Sequence, residues 1–151
     1  MTTKQIITEM EVVDLQRTQA QMENQVLIIK FGADWCGPCK RISPAYYEFI
    51  RLSPANILFA DIDVDDNINL YGALKKAKMV NSIPVFLAFY SDTKRDQWYI
   101  PDDSIIGADP TQVGLFFNRC LMKATSQIKP GAGTGAGAGA GTGTSVYTYY
   151  T

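Results

Sequence analysis

Two cysteines separated by two residues, Cys36-Gly37-Pro38-Cys39, are the side chains of this sequence best suited to chemistry. At positions i and i+3 of a first helical turn, both sulfurs lie on one face and reach a disulfide with little rearrangement. An apolar, β-branched run, Val26-Leu27-Ile28-Ile29-Lys30-Phe31, ends at Gly32 and Ala33 just before the pair, and a helical pattern follows it. That strand-then-helix order supplies the turn. At a helix N-terminus the Cys36 sulfur meets unpaired N–H groups and the positive end of the helix dipole, which stabilise the nucleophilic thiolate. Pro38 suits an early helical position and stiffens the loop between the sulfurs, while Gly37 leaves the approach open. The chain contains no histidine. Serine–histidine and cysteine–histidine catalysis, histidine-based metal sites and an imidazole switch are therefore excluded. A C-x-x-C pair can also be half of a zinc site, but Cys120 is the one remaining cysteine and structural zinc needs four ligands. A metal or cluster shared between two chains is the alternative; a redox dithiol is favoured, with no metal and no cofactor expected.

The elements that hold the pair are legible as periodicities. Gln5-Ile6-Ile7-Thr8-Glu9 predicts a short strand, and Val12, Val13, Leu15 and Met22 predict an amphipathic helix. Beyond Cys39, the spacing of Ile42, Tyr46, Phe49 and Ile50 predicts a helix kinked at Pro44. Ile57 to Asp63 is a further strand, and Asp65-Asp66-Asn67 is expected to cap a helix running to about Met79. Pro84 to Tyr90 is a fourth strand, and the polar stretch Ser91 to Gln97 separates it from Trp98-Tyr99-Ile100 and Ser104-Ile105-Ile106-Gly107. Asp109-Pro110-Thr111 caps a last helix bearing Val113, Phe116, Phe117, Cys120 and Leu121. Strands alternate with helices early and follow one another late, so parallel βαβ units and a hairpin are both expected. The predicted class is α/β, a central mixed sheet of four to five strands flanked by about four helices. The stretch Trp98 to Asp103 is either a rim for a partner or an exposed loop.

Set among these elements, Trp35-Cys36-Gly37-Pro38-Cys39-Lys40 resembles the active-site signature of the thioredoxin family. Lys30-Phe31-Gly32-Ala33 is similar to the strand that precedes it there, and Pro44 stands where the family kinks its active-site helix. Ile83-Pro84 before an apolar strand resembles the family's cis-proline loop, and Gly107 resembles the glycine bordering its substrate groove. The resemblance covers about residues 5 to 125. It implies that Cys36 attacks a substrate disulfide and that Cys39 resolves the mixed disulfide, leaving a Cys36–Cys39 bridge. It also implies that the backbone of Ile83, beside Pro84, pairs with the substrate strand, and that Trp35 and Gly107, with Gly37 and Pro38, border the substrate. Taken alone, Pro84 is a proline at a strand start.

Lys30 departs from the pattern. Six residues before the first cysteine many thioredoxins carry a buried aspartate; this chain has Lys30 there and Asp61 on the next strand. A cation in a central strand is costly unless paired, which leads to the expectation of an inverted proton-transfer pair, Lys30 with Asp61, beneath Cys39. The alternative is that Lys30 runs its aliphatic stem to the surface. Cys120, among apolar residues, is expected to be a buried inert thiol, as opposed to a regulatory one.

The composition changes after Pro130: from Gly131 to Gly143 every odd position is glycine and every even one Ala or Thr, before Ser145-Val146-Tyr147-Thr148-Tyr149-Tyr150-Thr151. Residues 1–128 are expected to form the thioredoxin-like domain and residues 129–151 an added tail. The tail is a flexible linker, or a strand with all its glycines on one face whose Tyr-rich end docks by strand addition. A net charge of −1 over 151 residues gives no reason to expect nucleic acid or an anionic membrane. Neither a secretory signal nor a membrane span is visible, so a cytoplasmic, reducing compartment is expected. Two functions are compatible with these features. One is a protein-disulfide reductase with disulfide-containing clients and a reductase flavoenzyme as electron donor. The other is a thioredoxin-like subunit of a larger assembly, a particle for example, whose partner docks the tail.

Overall fold

In the computed structural model, which describes residues 4–128, the element order is α1 (Val12–Gln21), β1 (Val26–Gly32), α2 (Gly37–Leu52), β2 (Ile57–Asp63), α3 (Ile68–Lys76), β3 (Val85–Tyr90), β4 (Asp103–Ile106) and α4 (Pro110–Ser126). The sheet order is β2-β1-β3-β4. β1 pairs in parallel with β2 and antiparallel with β3, and β3 pairs antiparallel with β4, so the sheet is mixed. Every residue of β1 is buried. That is the consequence of a near-continuous apolar run placed in the middle of a sheet covered on both faces.

Alternation along the strands feeds two cores. Leu27, Ile29 and Phe31 join Leu15, Leu70, Leu74, Leu87 and Phe89 on the face of α1 and α3. Val26 and Ile28 join Ile42, Tyr46, Ile50, Phe86, Phe116 and Cys120 on the face of α2 and α4. Tyr46 is the centre of this second core, with ring centroids 5.9 Å from Phe59, 5.3 Å from Phe86 and 5.9 Å from Phe117. Its hydroxyl donates to the Ala60 carbonyl at 2.8 Å, which meets the polar requirement of a fully buried phenol. α4 starts as its residues predict: Asp109 accepts from the Thr111 N–H at 3.0 Å, and Pro110 occupies the first turn.

Several expectations need correction. The segment Gln5 to Glu9 makes a single parallel bridge, Ile7 with Ala60, and no strand. Among the described residues the sheet therefore has four strands, with Trp98 to Ile100 outside them. In α1 only Leu15 is buried, Val13 is exposed, and Met22 falls on the cap, because this short helix touches the core with one turn. By contrast, Pro44 does lie inside α2, as expected. α3 stops at Lys76, since Lys78 turns to a positive φ of 64°. Asn67 stands at its N-cap position without capping it. Its buried amide accepts from the Met10 N–H at 2.9 Å and donates to the carbonyls of Asp63 at 3.0 Å and Thr8 at 3.3 Å. The capping oxygen is taken by a distant backbone, which a local reading cannot foresee. The tail, residues 129–151, lies outside the described residues.

Truncating Asn67 orphans a buried N–H and two carbonyls. Asn67→Ala should cost about 1–3 kcal/mol in urea unfolding. An unchanged midpoint would mean that water replaces all three bonds.

Candidate active site

The site forms where β1 ends and α2 begins. The Cys36 N–H donates to Ala33 O at 3.1 Å and closes the connecting turn. Cys36 is the N-cap of α2, and its Sγ accepts from the Cys39 N–H at 3.2 Å. A first-turn donor therefore points at the Cys36 sulfur, as the helix-terminus argument requires. The two cysteines are joined by a disulfide across a Cα–Cα distance of 5.3 Å. Both are almost wholly buried, whereas Gly37 and Pro38 between them are exposed. Gly32 lets α2 approach this closely: a Cβ there would stand 3.3 Å from both Cβ and Sγ of Cys39.

Three other segments converge on this end of the sheet. The Ile83–Pro84 bond is cis, and Ile83 packs on the cluster that contains Cys36 and Cys39. The Pro84 carbonyl accepts from the Gly107 N–H at 2.8 Å, which places the end of β4 beside the proline. Gly107 has φ of +103°, a conformation that side-chain-bearing residues adopt at a cost. Trp35 is 70% exposed, yet its indole N–H is anchored on Asp65 Oδ2 at 2.8 Å. Asp65 belongs to the β2–α3 turn that Asn67 ties to the N-terminal segment. An apolar, solvent-facing ring held in one orientation is suited to a peptide surface.

Beneath the cysteines, Lys30 is 3% exposed and does not reach the surface. It faces Asp61 in the β1–β2 register and forms an ion pair with Asp61 Oδ1 at 3.5 Å. Lys30 Nζ also donates to Ser43 Oγ at 2.8 Å, and Ser43 Oγ donates to the Cys39 carbonyl at 2.9 Å. The second Asp61 oxygen accepts from the Tyr47 hydroxyl. Burial, that hydrogen bond and the charge of Asp61 push Tyr47 above the ordinary phenol range, so it keeps its proton and remains the donor. A groove of about 470 Å³ lined by Lys40, Ser43, Pro44, Tyr47, Glu48 and Arg51 opens beside this network.

Cys120 is fully buried on α4, where burial pushes its thiol well above the ordinary range, as expected of an inert cysteine. Among the described residues no cluster of three or more Cys, Asp or Glu could hold a metal, and no helix is long and apolar enough to cross a membrane. Ser43 and Tyr47 escape the sequence analysis, and Asp65 and Asn67 enter it only as helix caps, not as site residues. Ser43 and Tyr47 follow Cys39 at i+4 and i+8, one helix face, and were findable by that spacing. Asp65 lies 30 residues from Trp35 and carries no local signal.

Comparison with known proteins agrees with this geometry. The family model described as thioredoxin matches residues 9–104. The thioredoxin of Geodia cydonium is 31% identical over 87 residues, covering 58% of this chain and 76% of that protein. The thioredoxin of Coprinus comatus is 34% identical over 88 residues, covering 58% and 73%. Among solved structures, the thioredoxin of Malassezia sympodialis matches with a TM-score of 0.54 at 26% identity, covering 79% of this chain and 94% of that one.

Proposed function

Given that the chain belongs to the thioredoxin family of oxidoreductases with a C-x-x-C pair, we propose that it reduces protein disulfides through the Cys36-Gly37-Pro38-Cys39 dithiol. Cys36 is the nucleophile. Its thiolate attacks a client disulfide, a mixed disulfide forms, and the first client sulfur leaves and takes a proton. Cys39 then attacks the Cys36 sulfur and expels the second client thiol, leaving the Cys36–Cys39 bridge. Two electrons pass to the client, and a reductase flavoenzyme returns them.

One observation carries the reading: the Cys36 sulfur is a helix N-cap receiving the Cys39 N–H, joined in a disulfide to its own resolving partner. The Ile83 backbone receives the client strand beside Pro84, and Trp35, Gly37, Pro38 and Gly107 border it. Lys30 and Asp61, paired beneath Cys39, favour its deprotonation. Residues 1–128 form the catalytic domain, and the tail of 129–151 is an attachment to it.

A second reading, a subunit held in a larger assembly by that tail, is compatible with the first. At the end of α4, the Gln127 amide donates to Gln25 O at 3.3 Å and accepts from Ser91 Oγ at 2.7 Å. Gln25 precedes β1 and Cys36 follows it, so α4 ends at the end of the sheet opposite the cysteines. An anchor on that side leaves the cysteines open to clients.

The test is a trap. With Cys39→Ser, incubation with a disulfide-bonded protein such as insulin should accumulate a covalent adduct through Cys36, visible on non-reducing gels and cleared by dithiothreitol. The parent should show almost none, because Cys39 releases the client. A Cys39→Ser protein that never captures a client, while folded and reduced, would sink the reductase reading.

A further inference from the structure

Lys30 is the buried charge that the disulfide chemistry leaves without a defined part, and its surroundings define one. An ammonium has three N–H donors. One goes to Ser43 at 2.8 Å and one to Asp61 at 3.5 Å, and the third has no oxygen partner among the described residues. Lys30 Nζ and Cys39 Sγ lie 3.8 Å and 3.3 Å from one point, the place of a Cβ on Gly32. The amine and the Cys39 sulfur therefore flank the same glycine. Asp61 is occupied elsewhere: Oδ1 faces Lys30 and Oδ2 accepts from Tyr47. Both carboxylate oxygens are engaged.

Resting on the reductase reading, we propose that Lys30 acts on the resolving sulfur: its buried ammonium stabilises the Cys39 thiolate, Asp61 is its counter-ion, and Ser43 and Tyr47 are positioning residues for the two. A cation beside a sulfur favours its thiolate. A buried carboxylate acting alone there would oppose it. In the resolving step the Cys39 thiol loses its proton and its sulfur attacks Cys36 Sγ. The Cys36–client bond breaks, the Cys36–Cys39 bond forms, and the client sulfur leaves with the electron pair and takes up the proton. No further oxidant or reductant enters this step.

Ser43 ties the amine to the helix turn that carries Cys39, because its hydroxyl accepts from Lys30 and donates to the Cys39 carbonyl. Tyr47, which lines the groove, donates to the second Asp61 oxygen and so holds the counter-ion in place. The other charged groups around the pair are exposed or half-buried and screened by solvent: Asp34, Lys40 and Arg41 beside the cysteines, and Asp63, Asp65 and Asp66 on the β2–α3 turn. Tyr46, packed behind the network, donates to Ala60 O and stays neutral because burial pushes its phenol up.

The experiment titrates Cys39 in a Cys36→Ser background by thiolate absorbance at about 240 nm. It needs no turnover, so it stands apart from any failure of the reductase assay. Cys120 stays silent because burial keeps it a thiol. Adding Lys30→Met should leave at least about tenfold less thiolate at pH 7, a rise of one pKa unit. Lys30→Arg should restore most of it, and Ser43→Ala should give a smaller shift in the same direction. Asp61→Asn should leave the midpoint unchanged or lower it, since it unmasks the cation. Should Lys30→Met destabilise the chain, Ser43→Ala decides by the same readout. The proposal is overturned if neither Lys30→Met nor Ser43→Ala moves the midpoint. It is overturned equally if Asp61→Asn raises the midpoint as far as Lys30→Met does, which would make the carboxylate the acting group.

Discussion

Cys36→Ser is expected to bring dithiothreitol-driven insulin reduction down to the uncatalysed rate, a loss of at least about 10³-fold. A serine hydroxyl at the same N-cap keeps the hydrogen bond from the Cys39 N–H, so the helix and the fold should survive. What disappears is the thiolate, because a hydroxyl does not ionise near neutral pH and cannot open a disulfide. Cys39→Ser should fall nearly as far in turnover for a different reason, retaining attack and losing release. The Cys120 thiol cannot substitute, being fully buried and held protonated. Turbidity following the parent's time course in Cys36→Ser would place the activity elsewhere in the chain. A parent no faster than its Cys36→Ser variant, with the protein folded and both thiols free, would move the domain to a scaffolding role.

Tyr46→Ala should be the costliest single truncation of the α2 face, about 3–5 kcal/mol in equilibrium unfolding. It removes a ring that meets Phe59, Phe86 and Phe117 at centroid distances of 5.9, 5.3 and 5.9 Å. It also strips the buried Ala60 carbonyl of the donor that reaches it at 2.8 Å. Domains of this size are stable by about 5–15 kcal/mol, so this one change threatens folding at physiological temperature. Tyr46→Phe separates the contributions: the ring stays, the hydroxyl goes, and a loss of about 1–2 kcal/mol is expected. A Tyr46→Ala protein within about 1 kcal/mol of the parent would show that the aromatic core collapses around the void.

Both predictions rest on residues that the sequence singled out, and the reason is local. Cys36 and Cys39 sit three positions apart behind an apolar run, so their spacing, the strand before them and the helix after them belong to one continuous segment. β2 spans Ile57 to Asp63 as its periodicity implies, and Asp109-Pro110-Thr111 caps α4 as its residue types imply. Where the periodic signal was short, it misled. Gln5 to Glu9 alternates like a strand, yet it meets β2 only at Ile7 and Ala60. Strand formation needs a partner over its length, which no local pattern guarantees.

The sequence by itself determined the dithiol, its helix N-terminal setting, the mixed sheet and the identity of the two charges, Lys30 and Asp61. The dithiol, its setting and the sheet depend on residues within a few positions of one another, or on the period with which apolar residues recur. Lys30 and Asp61, by contrast, stand out only against the pattern of the family they resemble. Only the tertiary structure decided what those groups touch. It kept Lys30 from the surface, turned Asp61 to Tyr47, hung Trp35 on Asp65 and diverted Asn67 from its cap to Thr8, Met10 and Asp63. These partners lie between 4 and 59 positions apart, and Trp35 and Asn67 find theirs across a turn that the fold folds back. A buried donor or acceptor must find a partner wherever the packed backbone offers one, and that choice exists only once the chain is folded.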